Sequence, residues 1–211
     1  MKYLQSALLG FTAVIIFFSY QSESKAQCPT GWTNVKVPLT INGCQYELDL
    51  CVYCSPLGNI NQTQILSITK LPSIPNCIQT WTFQQVVNYV NSQIGTSSFY
   101  NSYLCPNMTI PPCNDPNRIT RKYYDWTCWR VKKIMYFGQE HIVYAPCENS
   151  AYCYKEVDIC IFNGIVRETV VSGPTLMNGP INCTLEGSDI PVPSNYDEWS
   201  DCYIYHTDCN P

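Results

Sequence analysis

The chain has 211 residues, with 12 Lys and Arg against 16 Asp and Glu, a formal net charge of −4, only 13% charged residues and 14 cysteines. Mild acidity with so little positive charge argues against nucleic acid as the main partner. No CxxCH occurs, which excludes c-type haem attachment. Cys51-x-x-Cys54 has no second CxxC or His pair at zinc-finger spacing to complete a metal site.

Residues 1–26 read as a signal peptide. Lys2 supplies the positive start, Leu8–Phe18 the apolar run, and Ser24-Lys25-Ala26 a small-x-small cleavage site. The apolar run is shorter than the ~20 residues of a membrane span. Gln27 before Cys28 argues against lipid attachment. The expectation is a secreted protein, in the extracellular space, at the cell surface or in the periplasm, with no membrane insertion after cleavage. Every cysteine follows residue 26, so the even count reads as a disulfide framework of at most seven bridges.

Residues 27–95 form a first β-meander unit. Asn42-Gly43 between VKVPLTI and CQYELDL is a type I′ hairpin signal, because both turn positions need positive φ. It pairs Val35–Ile41 with Cys44–Tyr53. After a turn at 55–59, Gln62–Thr69 makes the third strand. A short amphipathic helix over 82–94 follows: Thr82 and Gln85 fit a capping box, Phe83, Val86, Val87, Val90 and Ile94 form the core-facing stripe, and Gly95 closes the end. Residues 96–125 are rich in Pro, Asn and Ser and read as a connection pinned by Cys105 and Cys113. Residues 126–211 form a second meander unit and an acidic tail. Its strands are Cys128–Phe137, Glu140–Ala145, Cys153–Phe162 and IVRETVV, the last two joined by Asn163-Gly164. The fold class is therefore mainly β, two related antiparallel three-stranded meanders with one helix, stapled by disulfides.

The two units share a sentence. CQYELDLCVY at 44–53 and CYKEVDICIF at 153–162 carry Cys, Glu, Asp and Cys at matching positions, and each unit ends in Asn-Cys, at Cys77 and Cys183. This suggests an internal duplication. Alternation puts Tyr46, Leu48, Leu50 and Val52 on one face and Glu47, Asp49 and Cys51 on the other; Val157, Ile159 and Ile161 oppose Glu156, Asp158 and Cys160. A continuous strand holds Cys44 and Cys51 over about 20 Å apart, beyond the ~7 Å reach of a disulfide. By symmetry, Cys51 is expected to pair with Cys77 and Cys160 with Cys183.

Carboxylates at i and i+2 lie ~7 Å apart, within the ~5–9.5 Å of glycosidase pairs. Calcium prefers six to eight oxygens from a loop. Retention of the pair in both copies fits a structural duty better, with Lys36 as a cross-strand ion partner. His141 and His206 are the two histidines, and no GxSxG, HExxH, P-loop or Rossmann pattern appears. No catalytic residue, metal or cofactor is assigned. Asn61, Asn107 and Asn182 begin N-x-Thr sequons.

ITRKYYDWTCWRVKK, 119–133, is the candidate ligand or partner surface: Tyr123, Tyr124, Trp126 and Trp129 interleave with Arg121 and Lys122. The bland counterpart is a core position for Trp126 and Trp129. Arg118 to Lys133 is basic, while no Lys or Arg follows Arg167. Two solvated faces are the simpler account of that asymmetry, head-to-tail steering of subunits the sharper one. The leading expectation is a non-enzymatic structural, adhesive or assembly component, self-associating or binding an extracellular protein or glycan. The alternatives are a soluble carbohydrate- or protein-binding module and a secreted hydrolase using Glu47/Asp49 or Glu156/Asp158.

Overall fold

A computed structural model describes residues 28–55, 60–72, 77, 81–106, 108–187 and 189–209. The signal peptide, most of the turn at 55–59, most of the approach to Cys77 and the sequon at Asn107 lie outside the described residues. The strands are β1 (Thr33–Ile41), β2 (Cys44–Cys54), β3 (Ile60–Lys70), β4 (Ile119–Trp126), β5 (Cys128–Tyr136), β6 (Gln139–Pro146), β7 (Tyr152–Phe162), β8 (Ile165–Met177) and β9 (Tyr203–Ile204), with helix α1 at Phe83–Gly95. A short helical turn, Ser97–Phe99, widens into a π-turn at Tyr100–Leu104.

The hairpins form where the turn chemistry demands. Asn42 and Gly43 have φ of 48° and 77°, Asn163 and Gly164 of 52° and 76°. Asn tolerates this left-handed region because its short side chain bonds locally. The β5–β6 turn instead places Phe137 at φ 49°, a conformation that bulky residues avoid.

All nine strands belong to one sheet, and β3 is its branch point. One edge of β3 pairs antiparallel with β2. The other edge is shared: Ile60–Gln64 runs parallel to β4, and Ile68–Lys70 runs antiparallel to β6. Between them β3 bulges, since Asp49 opposes Ser67 while Leu50 opposes Ile65. A bulge bends the strand and adds twist, so the two branches diverge there. The indole of Trp126 donates to the Ile65 carbonyl at 3.2 Å, satisfying a backbone acceptor at the fork.

Helix α1 covers one face. Thr82 Oγ1 accepts from Gln85 N, and Thr82 N donates to Gln85 Oε1 at 2.9 Å, as the capping box predicts. All five stripe residues are buried. They meet Val37, Leu48, Leu50, Ile65, Ile68, Trp129 and Val131 in the main core. Each large apolar side chain so enclosed stabilises by about 1.5–3 kcal/mol. Gly95 is the last helical residue rather than the cap; Thr96 closes the helix through its N–H and hydroxyl to Gln93 O.

Three expectations are corrected. First, residues 119–125 lie in the stretch read as a connection, yet belong to β4. After Ile119 its inward positions carry Arg121, Tyr123 and Asp125 instead of aliphatics, so no apolar alternation advertised the strand. Second, β6 and β7 are not neighbours, because β4 takes the place beside β7. The doubled segment is the second strand of its hairpin in β1–β2 and the first in β7–β8, and the structure does not confirm a duplication.

Third, the bridges are Cys28–Cys51, Cys44–Cys77, Cys54–Cys105, Cys113–Cys160, Cys128–Cys183, Cys147–Cys202 and Cys153–Cys209. Cys51–Cys77 and Cys160–Cys183 do not form. Strand β3 ends at Lys70 opposite Tyr46, which delivers Cys77 to Cys44; Cys51 lies opposite Gln64, mid-strand. Strand β8 likewise ends at Met177 opposite Tyr152, at the far end of β7 from Cys160. Cys160 meets Cys113 instead, where Ile161 N donates to Pro111 O at 2.8 Å.

The acidic tail lies along the free edge of β5. Asp197 N donates to Lys133 O, Ser200 N to Val131 O, and β9 pairs with Cys128–Trp129. Arg130 and Lys132 approach the Trp199 ring at 4.4 and 4.7 Å, and Lys133 the Tyr196 ring at 4.8 Å. The basic and acidic halves thus meet within one chain, and the tail shields an edge that would otherwise be open to pairing.

Candidate binding surface

The stretch 119–133 is divided between β4 and β5, and alternation sends its members to different environments. Arg121 and Tyr123 point to the α1 side. Arg121 is fully buried, its Nη1 donating to Gly95 O at 2.9 Å and to the Tyr123 hydroxyl at 3.0 Å. Its guanidinium lies 4.0 Å over the Tyr100 ring and 3.5 Å from Glu168. Gly95 O lies at the C-terminal, negative end of α1, where the last carbonyls of a helix lack intrahelical donors, a favourable seat for a cation. Nε and Nη2 have no hydrogen-bond partner among the described residues. Burial pushes the Tyr123 hydroxyl up to about 12, against the opposing pull of Arg121. Trp129 is in the core, its ring 5.4 Å from Phe83 and its indole bonded to Trp126 O at 3.1 Å. The six candidates therefore do not share one surface: Arg121, Tyr123 and Trp129 serve the interior.

Lys122 and Tyr124 face the other way, and Trp126 follows them in alternation while also packing against the main core at the fork. The β4–β7 register sets Thr120 opposite Asp158, Lys122 opposite Glu156, Tyr124 opposite Tyr154 and Trp126 opposite Tyr152. Tyr124 lies 5.4 Å from Tyr154 and 5.5 Å from Tyr152, and Trp126 lies 5.3 Å from Tyr152. Across β3, Tyr124 meets Trp32 at 6.2 Å, and Trp32 meets Tyr53 at 6.2 Å. The Tyr124 hydroxyl donates to Gln62 Oε1 at 2.6 Å, and burial raises its pKa to about 12. The result is a run of half-exposed rings across four strands and the β1 entry. Trp32, Tyr53, Tyr152 and Tyr154 escaped the sequence reading. The shared parity of Tyr152, Tyr154 and Glu156 was a legible signal, but their partnership with Tyr124 needs the β4–β7 pairing.

The doubled carboxylates lie on this same outer face. Glu47 binds Lys36 at 2.6 Å, the cross-strand partner expected, and Asp49 accepts from the Asn34 amide. Glu156 binds Lys122 at 3.0 Å and accepts from the Tyr154 hydroxyl; Asp158 accepts from Thr120 Oγ1 at 2.9 Å. The Tyr154 hydrogen bond, then Lys122, hold Glu156 below the usual carboxylate range. Each acid is engaged with a neighbouring strand. Among the described residues no group of three or more His, Cys, Asp or Glu is placed to hold a metal ion. A shallow depression of about 270 Å³ beside β3 and β6 is lined by Lys70, Leu71, Pro72, Gln139, Glu140 and Ile142, and by none of these acids.

A different acid lies on the inner face. Burial, which strips water from the carboxylate, pushes Asp125 up from 3.8 to about 6, with Lys155 pulling down and Asp208 pushing up. Lys155 itself binds Asp208 at 2.8 Å, beside the Cys153–Cys209 bridge.

Fold and surface together define a disulfide-stapled, mainly β protein with an open, aromatic sheet face and an exposed edge strand, β8, compatible with an extracellular role. No helix among the described residues is long and apolar enough to cross a membrane. Comparison with family models, with curated proteins and with solved structures finds no match for this chain.

Proposed function

We propose that this is a secreted, non-enzymatic assembly component that acts by joining sheets at their edges. One observation carries the reading: β8 is a 13-residue strand at the end of the sheet, exposed along almost its whole length. Ile165, Val170, Val171 and Met177 are 64, 57, 51 and 41% exposed. Such an edge presents unpaired backbone donors and acceptors beside β-branched side chains, a template for another strand. The β5 edge is covered by the tail, whereas β8, like the shorter β1, is paired on one side only among the described residues. Seven bridges support the same role, since they hold the unfolded chain compact and keep the sheet rigid under load.

Light scattering of the oxidised protein across a concentration series tests the reading. Association that grows with concentration and is abolished by Val170→Lys/Val171→Lys is expected. A particle that stays monomeric throughout, or association indifferent to the double substitution, refutes it.

A further inference from the structure

We propose that the outer face carries a binding site for a neutral, single-chain glycan, independent of the β8 edge. The site is the strip Tyr53, Trp32, Tyr124, Tyr154, Tyr152 and Trp126: Trp32 lies 6.2 Å from both Tyr53 and Tyr124, Tyr124 lies 5.4 Å from Tyr154 and 5.5 Å from Tyr152, and Tyr152 lies 5.3 Å from Trp126. All six are half-buried; Tyr53, Tyr124, Tyr152 and Tyr154 share the outer face by register, and Trp126 at the end of the strip also packs against the main core. Half-buried rings have fixed orientation, so a ligand stacking on them orders little of the protein. Tyr and Trp present an apolar face and a polar tip together, which suits a sugar's C–H face and its hydroxyl rim.

Charge selects among ligands. The nearest ionic groups, Lys122 and Glu156, neutralise each other at 3.0 Å. Gln62 and Gln64 share the outer face with the strip by their register to Lys122 and Tyr124 and bring amides rather than charges. A strip with no net charge offers nothing to a uronic acid or sulfate and does not oppose an uncharged sugar. Geometry selects further. Neighbouring rings are inclined by 39–76° to one another, so they do not make the flat shelf a crystalline polysaccharide surface requires. A soluble chain that turns from residue to residue can follow them.

Native gel electrophoresis through soluble polysaccharides tests this, with hydroxyethyl cellulose, mixed-linkage β-glucan, xylan and galactomannan as neutral probes and alginate as the acidic one. The wild type should be retarded by at least one neutral polymer and not by alginate. Tyr53→Ala/Tyr154→Ala should weaken retardation at least tenfold, while Val170→Lys/Val171→Lys leaves it intact. Should the tyrosine variant lose its near-ultraviolet circular dichroism, tryptophan fluorescence of the wild type decides. Trp32 and Trp126 belong to the strip, so oligosaccharides of the retarding polymer should shift the emission saturably. Retardation by no neutral polymer, retardation by alginate alone, retardation indifferent to the tyrosine substitutions, or unchanged fluorescence would each overturn the proposal. Binding to insoluble cellulose in preference to the soluble chains would overturn the single-chain assignment. Loss of glycan binding in the β8 variant would overturn its independence from the edge.

Discussion

Asp125 makes stability depend on pH in a direction opposite to that of most paired carboxylates. Its folded-state pKa is raised from 3.8 to about 6 because loss of hydration on burial disfavours the charged form, with Lys155 compensating in part. The folded state therefore holds the proton more tightly than the unfolded chain. The contribution is most favourable below the unfolded value, declines as pH rises from about 4 to about 6, and is constant above. At about 1.4 kcal/mol per pKa unit the full decline is about 3 kcal/mol, and the side chain's partial exposure brings it toward 2. Glu156 works in the other sense, its lowered pKa giving stability that is lost as the solution becomes more acid. A single titration would mix the two. Urea unfolding of wild type and Asp125→Asn, disulfides intact, from about pH 3.5 to 7.5 separates them. The stability of the wild type minus that of the variant should fall by about 2–3 kcal/mol between pH 4 and 6. A difference that is flat to within about 0.5 kcal/mol, or that rises with pH, would refute the burial argument.

Other substitutions probe the fold at single points. Phe137→Asn should raise stability by about 0.5–1 kcal/mol in thermal unfolding, because Asn tolerates the φ of 49° and the Phe ring is 87% exposed, with little burial to lose. Trp129→Ala, which empties the core beside Phe83, should cost about 3–5 kcal/mol by urea titration, whereas Tyr53→Ala on the outer face costs much less. Gly173→Ala should destabilise by at least about 1 kcal/mol, since at φ +84° a Cβ would stand 2.5 Å from Tyr154 O and the backbone must shift. Removing the Cys113–Cys160 bridge as a double Ser variant frees a loop spanning 47 residues, which the chain-entropy account values at about 4 kcal/mol; a change under 1 kcal/mol would show that the unfolded chain stays compact there.

The sequence by itself determined the local elements, because their causes are local. Asn42-Gly43 and Asn163-Gly164 make their turns through φ, Thr82 and Gln85 start α1, and the period of Phe83, Val86, Val87, Val90 and Ile94 names its buried face. Alternation in β2 and β7 also told inward from outward residues, which is why the paired acids were expected outside and are found there.

Tertiary structure decided everything that depends on which strand lies beside which. Strand β4 holds a buried Arg121 where a strand usually holds an aliphatic residue. The carbonyl end of α1, the Tyr100 ring and Glu168, all distant in sequence, together with the Tyr123 hydroxyl, make that burial tolerable. Cysteine partners follow from where antiparallel strands deliver the chain, so likeness between two segments did not reveal them. The candidate surface shows the same division. Of the six residues chosen from 119–133, Tyr124, Trp126 and Lys122 reach the outer face, and four aromatic residues from elsewhere complete the strip. Local sequence encodes the direction of each side chain along its own strand. Which aromatic stands opposite is a property of the sheet order, and that order is set by the core, the bulge in β3 and the bridges acting together.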